Sequence, residues 1–341
     1  MRVGLVLGAG GVLGASWLIG ALEVLEAETG WRAAETERIV GTSAGAVVGA
    51  LAATGIPAEY MSAYSAGRTL DGFAEAETRA DALTGRLLGS EYRLQRALPP
   101  LGPGSWPLAL NTLLHLRRHS PATVVAGWLP RGFISTAPIQ RLVERFVPGA
   151  WPEHPGYWAV AADYASGKRV AFGSGDAPDA HVAEAVAASC AIPGFYHPVK
   201  IAGRRYVDGG ICSTSNLDLL RGAELDLVIC LNPMSSIAPV AGGSPADRFA
   251  GLMRAAAGRR LGREARMLRD EGAEVLILQP GRDDCALMGL NLMSGARRVQ
   301  VIEQARKSTA RELRRLRGTH LLPGRTTRRR SAVPKPARRA A

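Results

Sequence analysis

Apolar residues in this chain gather in short unbroken runs more often than in alternation. Residues 3–7, 38–40, 157–164, 225–231 and 274–278 each have strand length and are mostly aliphatic, aromatic or alanine. Such runs predict strands buried on both faces, as in a parallel sheet covered by helices. Between them lie segments of helical length. Residues 12–28 turn polar only toward their end, 44–53 are rich in Ala, Val and Leu, and 180–190 are preceded by the capping candidate Asp179 and stopped by Pro193. The order strand, helix, strand, helix implies parallel pairing with the helices packed over the sheet. Residues 168–174 pair back on 157–164 around the turn Ala165-Ser166-Gly167, and 197–210 read as a hairpin entering a glycine turn. Two long arginine-rich amphipathic helices, 247–269 and 296–316, complete the pattern.

Two regions break it. Residues 57–130 contain the proline- and glycine-rich stretch LPPLGPGSWPLAL and have poor sheet propensity, so they predict a helical insertion or cap. The end, 319–341, is rich in Arg and Pro without periodic apolar residues and is expected to be disordered. The organisation read from the chain is therefore one domain over 1–318, with the insertion inside it and a basic tail behind.

Composition changes the picture in two places. Seven of the cationic residues, six Arg and one Lys, lie in 319–341 without an acid, so most of the net charge of +12 belongs to the tail. That distribution, with no recognised reading motif, argues against a specific nucleic-acid partner and leaves peripheral contact with anionic membranes as the expectation for the tail. The four cysteines, Cys190, Cys212, Cys230 and Cys285, are widely spaced and lack a CxxC pattern, which speaks against a zinc site and for reduced thiols in the cytoplasm. Residues 3–25 have the length of a membrane span, but Gly8, Gly10, Gly11, Gly14 and Glu23 interrupt them; a buried strand, a loop and a buried helix fit better.

The candidate chemistry sits at glycines. Gly41-Thr42-Ser43-Ala44-Gly45 falls where a strand passes into a helix, and a Gly-X-Ser-X-Gly turn there exposes a serine oxygen between residues without bulky side chains. A helix cap with packing glycines is the plain alternative for Ser43. The loop from Gly8 to Gly14 also follows a strand and opens a helix, so its backbone N–H groups can face an anion. It admits two uses. One is nucleotide binding, although Leu13 stands where the third fingerprint glycine belongs and no strand-ending acid follows about twenty residues later. The other is an oxyanion hole for acyl transfer. Asp208, followed by Gly209 and Gly210, is a candidate base, with an ordinary Asp-Gly turn as its plain alternative. Of the histidines only His197 lies in an ordered-looking segment, and a structural role suits it.

Taken in order, the loop at the first strand, GTSAG at the second and Asp-Gly-Gly later resemble the patatin-like phospholipase family. The stretch AVAADYASGKRVAF, containing Asp163, and the block from 187 to 210 extend the similarity over most of 2–235, apart from the insertion. The resemblance implies an α/β fold, a three-layer patatin-like sandwich with a mainly parallel central sheet. It implies a serine lipid acyl hydrolase acting on lipid or fatty-acyl esters without metal or cofactor. In it Ser43 is the nucleophile, Asp208 the base, Gly10, Gly11 and Val12 supply the oxyanion hole, and Gly8, Gly14, Gly41, Gly45, Gly209 and Gly210 support the motifs. Many members carry Arg or Lys where this chain has Leu13. The apolar residues Trp106, Leu108, Leu110, Leu113 and Leu114 of the insertion are candidates for an acyl channel or a lipid contact.

Overall fold

A strand whose residues alternate between two apolar layers needs cover on both sides, and the central strands have it. In the computed structural model, which describes residues 1–67, 102–115, 119–236 and 245–316, β1 (Val3–Leu7) and β7 (Leu227–Leu231) are buried at every position. Leu5, Leu7, Ile229 and Leu231 enter one hydrophobic cluster while Val6, Val228 and Cys230 enter a second on the other face. The first layer is filled by α1 (Gly11–Thr29), α2 (Ala44–Ala53), α3 (Ala58–Ser65), α6 (Ala137–Phe146), α7 (Val182–Ser189) and α10 (Arg298–Leu316), the second chiefly by α8 (Pro245–Asp270). The result is a three-layer α/β sandwich.

Among the described residues the sheet has eight strands. Its order is β5 (Val199–Ile201), β6 (Arg204–Asp208), β3 (Tyr157–Asp163), β2 (Arg38–Thr42), β1, β7 and β8 (Glu274–Leu278), with β4 (Arg169–Phe172) paired to β3 off this path. Strands β3, β2, β1, β7 and β8 run parallel, whereas β4 and β6 are antiparallel to β3. Parallel strands need long crossovers: α1 of the first layer lies on the one from β1 to β2, and α8 of the second layer on the one from β7 to β8.

The expected strand, loop and helix over 3–25 is what the chain forms, and among the described residues no helix is long and apolar enough to cross a membrane. The helix after Ser43 runs Ala44–Ala53, as read from the sequence. The helix expected at 180–190 is shorter, Val182–Ser189, and its cap is His181, whose ring accepts the Ala183 N–H, rather than Asp179. Within 57–130 the described segments form α3, α4 (Trp106–Leu114) and α5 (Pro121–Trp128); α3 packs on the main core, while α4 and α5 cover a third small cluster with Ala162, Tyr164 and Val207. The rest of the expected insertion, 68–101 and 116–118, and the basic tail 319–341 lie outside the described residues.

Candidate active site

Ser43 occupies the one residue between β2 and α2, with φ 54° and ψ −119°. A non-glycine residue in that conformation stores strain of about 1–3 kcal/mol, so its surroundings must impose it. They do so from two sides. The helix begins hard against β1, since a Cβ at Gly45 would strike the Leu7 carbonyl. The Ser43 N–H donates to Ser189 Oγ at 2.8 Å, and that hydroxyl in turn donates to Val160 O at 2.6 Å. The Ser43 side chain makes no capping bond to α2, which removes the plain alternative and leaves its hydroxyl to other partners.

The partner arrives by sheet topology. β2 pairs with β3 as far as Thr42 opposite Val160, and β6 pairs with β3 beginning at Asp208 opposite Ala161. Because β4 holds the opposite edge at both Val160 and Ala161, β2 and β6 share one edge of β3 and meet end to end. Ser43 follows the last residue of one and Asp208 ends the other. Their side chains consequently face each other: the Ser43 hydroxyl favours the ionised Asp208 carboxylate, which also accepts the Gly210 N–H at 2.7 Å. Asp208 therefore keeps its turn contact and gains the serine. Gly209 crosses so close to Val160 that a Cβ there would meet its carbonyl, and Gly210 abuts Ala9 of the glycine loop.

That loop contributes donors. The Gly8 N–H bonds Leu231 O, the Ala9 N–H bonds Thr214 O, the Leu13 N–H bonds Leu292 O at 2.9 Å and the Gly14 N–H bonds Gly10 O. The N–H groups of Gly10, Gly11 and Val12 have no acceptor among the described residues. They lie at the N-terminus of α1, where unpaired donors and the helix dipole favour negative charge. Gly11 has φ +61° and would bring a Cβ to 3.0 Å from both Leu292 O and the Met293 sulfur.

Electrostatics separate the neighbours. Burial raises the Asp208 carboxyl from 3.8 to about 6, against the opposing pull of the Ser43 hydroxyl and the Gly210 N–H. Cys190 also touches the Ser43 hydroxyl; burial and then the nearby Asp208 charge push its thiol well above the ordinary range, so it stays protonated. Asn216 braces the junction from beneath, with Nδ2 donating to Thr42 Oγ1 at 3.0 Å and to Ser213 O at 2.7 Å.

The family model for patatin-like phospholipase matches residues 5–221, a span that takes in the glycine loop, the Ser43 turn and Asp208. The chain belongs to this family. It is 31% identical over 231 residues to an uncharacterized NTE family protein of Mycobacterium bovis and to proteins of the same description in two Mycobacterium tuberculosis strains, covering 68% of this chain and 49% of theirs. The chain thus spans about half the length of these relatives. Among solved structures it is similar to VipD from Legionella pneumophila, with TM-score 0.45, 15% identity and coverage of 92% of this chain and 67% of that one. It is also similar to the type III effector ExoU, with TM-score 0.35, 18% identity and coverage of 92% and 53%.

Within this patatin-like chain the other sequence candidates separate clearly. His197 bonds the backbone of Gly132 and, through its own N–H, Ile134 O; burial lowers its pKa, and it touches neither Ser43 nor Asp208. Asp163 is structural. Its carboxylate accepts the Ser166 N–H and hydroxyl, both at 2.7 Å, and pairs with Arg204 at 2.8 Å. Leu13 points into the main core. Leu108 is likewise fully buried, on Ile211 and its neighbours, whereas Trp106, Leu110, Leu113 and Leu114 are exposed. The nucleotide use of the loop loses its remaining requirement, because β2 ends on Thr42 rather than an acid. Gly41 packs against Ala46, and Gly14 lies beside Pro233. Sequence reasoning missed Ser189, Cys190 and Asn216. The only signal for them was polarity at buried positions beside motifs.

Proposed function

We propose that the protein is a serine lipid acyl hydrolase of the phospholipase A, lysophospholipase or carboxylesterase type, working through Ser43 and Asp208. The observation that carries this reading is the contact of a strained, non-capping serine with a buried carboxylate, beside three unpaired N–H groups and without a histidine among the described partners of either residue. Asp208 takes the Ser43 proton as Oγ bonds to the ester carbonyl carbon, and the charge that develops on the carbonyl oxygen is held by the N–H groups of Gly10, Gly11 and Val12. Collapse of the intermediate breaks the ester C–O bond, and Asp208 returns the proton to the departing alcohol. A water molecule then gives its proton to Asp208 and attacks the acyl-serine; the fatty acid leaves and Ser43 recovers its hydrogen. With a pKa of about 6, Asp208 is a stronger base than an ordinary carboxylate and is still mostly ionised at neutral pH.

A lipid ester is supported by the family and by the exposed apolar side chains of α4 and α5. Trp106 stacks edge-on against Trp128, both exposed, with Leu110, Leu113 and Leu114 on the same helix pair. These residues suit contact with a lipid surface better than with water.

Labelling with a fluorophosphonate tests the reading. Wild-type protein should label at Ser43 and hydrolyse a member of a panel of short esters, lysophospholipids and phospholipids. Ser43→Ala should lose labelling and at least about a thousandfold in turnover while remaining folded. Near-normal turnover by the folded Ser43→Ala protein would end the proposal.

A further inference from the structure

Behind the Asp208 loop lies a second cleft of about 370 Å³, bounded by the end of α4, the start of α5, the turn between β3 and β4, and α8. Its lining includes Lys168, Arg169, Arg260, His115 and His119, and not one carboxylate. The acids that balance the two arginines bind them from outside the lining. Asp218 grips Arg169 through both terminal nitrogens, with Nη2 to Oδ2 at 2.7 Å, and raises its pKa. Buried Glu264 takes Arg260 Nε at 2.9 Å. These bonds fix the guanidinium planes and leave Arg169 Nε and both Nη groups of Arg260 without a protein acceptor among the described residues. Lys168 is exposed, and no described carboxylate pairs with its ammonium.

Asp218 and Glu264 balance the arginine charges, but the Arg169 Nε, the two Arg260 Nη groups and the Lys168 ammonium form a donor set without an acceptor among the described residues. Arginine forks recognise planar pairs of oxygens, and lysine adds a point charge. A tetrahedral phosphate offers separate oxygens to the donors of Arg169, Arg260 and Lys168, whereas a carboxylate has a single oxygen pair. We propose that this cleft binds a phosphate group, carried either by a soluble phosphate ester or by a lipid head group.

The location gives the site a neighbour in the chemistry without making it part of it. Cys212 lines the cleft four residues after Asp208 and lies within the electrostatic reach of Asp208, Arg169 and Arg260. The hydroxyls of Ser120 and Thr123, which also line it, both donate to Ile211 O, tying its wall to the Asp208 loop. The inference does not depend on the hydrolase reading, because it concerns binding alone.

The experiment is calorimetric titration of the full-length Ser43→Ala protein, in which no turnover occurs, with inorganic phosphate and with acetate. Saturable phosphate binding is expected, with acetate far weaker. Lys168→Glu should weaken phosphate by about tenfold or more, while Lys200→Glu, an exposed lysine on β5, should leave it unchanged. Lys168→Gln serves in place of Lys168→Glu if the charge reversal impairs folding. Co-sedimentation with phosphatidylcholine vesicles doped with phosphatidic acid, or with phosphatidylglycerol at matched charge, separates the sources. Lys168-dependent preference for phosphatidic acid assigns a lipid head group, and phosphate binding without that preference assigns a soluble ester. Absence of saturable phosphate binding, equal binding of acetate, or equal phosphate binding by the wild-type lysine and its folded Lys168 variants would overturn the proposal.

Discussion

Ser189 holds Ser43 by its backbone: the N–H of the strained residue reaches Ser189 Oγ at 2.8 Å, across 146 positions of sequence. Removing that hydroxyl in Ser189→Ala leaves a buried N–H and the Val160 carbonyl without their shared partner. A loss of about 2 kcal/mol in stability is expected from unfolding in urea. Because the serine is then less firmly held in its reactive conformation, kcat should fall about tenfold with fluorophosphonate labelling slowed but retained. Unchanged kcat with the stability loss alone would limit Ser189 to a structural part.

Asp208 makes stability and activity respond to pH in opposite directions. Hydrolysis should rise with pH along a single titration centred near the carboxyl pKa of about 6, since only the ionised form takes a proton. The folded pKa lies above the unfolded value, so the group's contribution to stability is complete below the unfolded pKa and is lost as pH rises through the folded one. At pH 8 Asp208→Asn should therefore be more stable than wild type, by about 3 kcal/mol, with the difference vanishing toward pH 4. The same variant should be inactive. Paired urea titrations and rate profiles check both halves.

Gly11→Ala should damage the reaction rather than substrate binding. The position has φ +61° and no room toward Leu292 O and the Met293 sulfur, so an added methyl shifts the loop that presents the free N–H groups. Misalignment of one oxyanion donor lowers kcat by about 100-fold. KM should change little, and kcat and kcat/KM should fall together.

Asp163→Asn provides the contrast. Burial pushes this carboxyl upward, but its bonds from Arg204 and Ser166 outweigh that and hold it below the ordinary range. Its stabilisation is present above the unfolded pKa and is lost as pH falls through the folded one. The variant should melt earlier than wild type at pH 7, and the gap should close below about pH 4. Its kcat should stay within a few fold of wild type, as measured on a short soluble ester.

The parts of the site that follow from local rules were readable in the sequence. A glycine-rich turn between a β-branched run and an alanine-rich helix places Ser43 at an elbow, and α2 begins and ends where its composition says. The layered core was equally legible, because unbroken apolar runs such as Leu227–Leu231 have to be buried on both faces. What stayed hidden depends on contacts far apart in the chain. Ser189 looks like the end of a helix, Asn216 like one more polar turn residue and Cys190 like a core thiol until the sheet brings them beneath Ser43 and Thr42. Leu108 and its neighbours share one helix and one composition, and only packing on Ile211 and Ala162 distinguishes the buried leucine from the exposed ones. The cap of α7 moved from Asp179 to His181 because the imidazole, two residues nearer the helix, reaches the Ala183 N–H.

The shared edge of β3 also orders events in time. β2 and β6 come from opposite ends of a 165-residue separation, and neither can meet the other until β3 has docked and long loops have closed. Before that moment Ser43 is an unstrained serine in a flexible chain and Asp208 is a solvated carboxylate. If Ser43 and Asp208 work as proposed, a chain emerging from the ribosome, or one stalled halfway through folding, carries no activated serine to turn on the acyl groups around it. Reactivity is acquired together with the finished sheet.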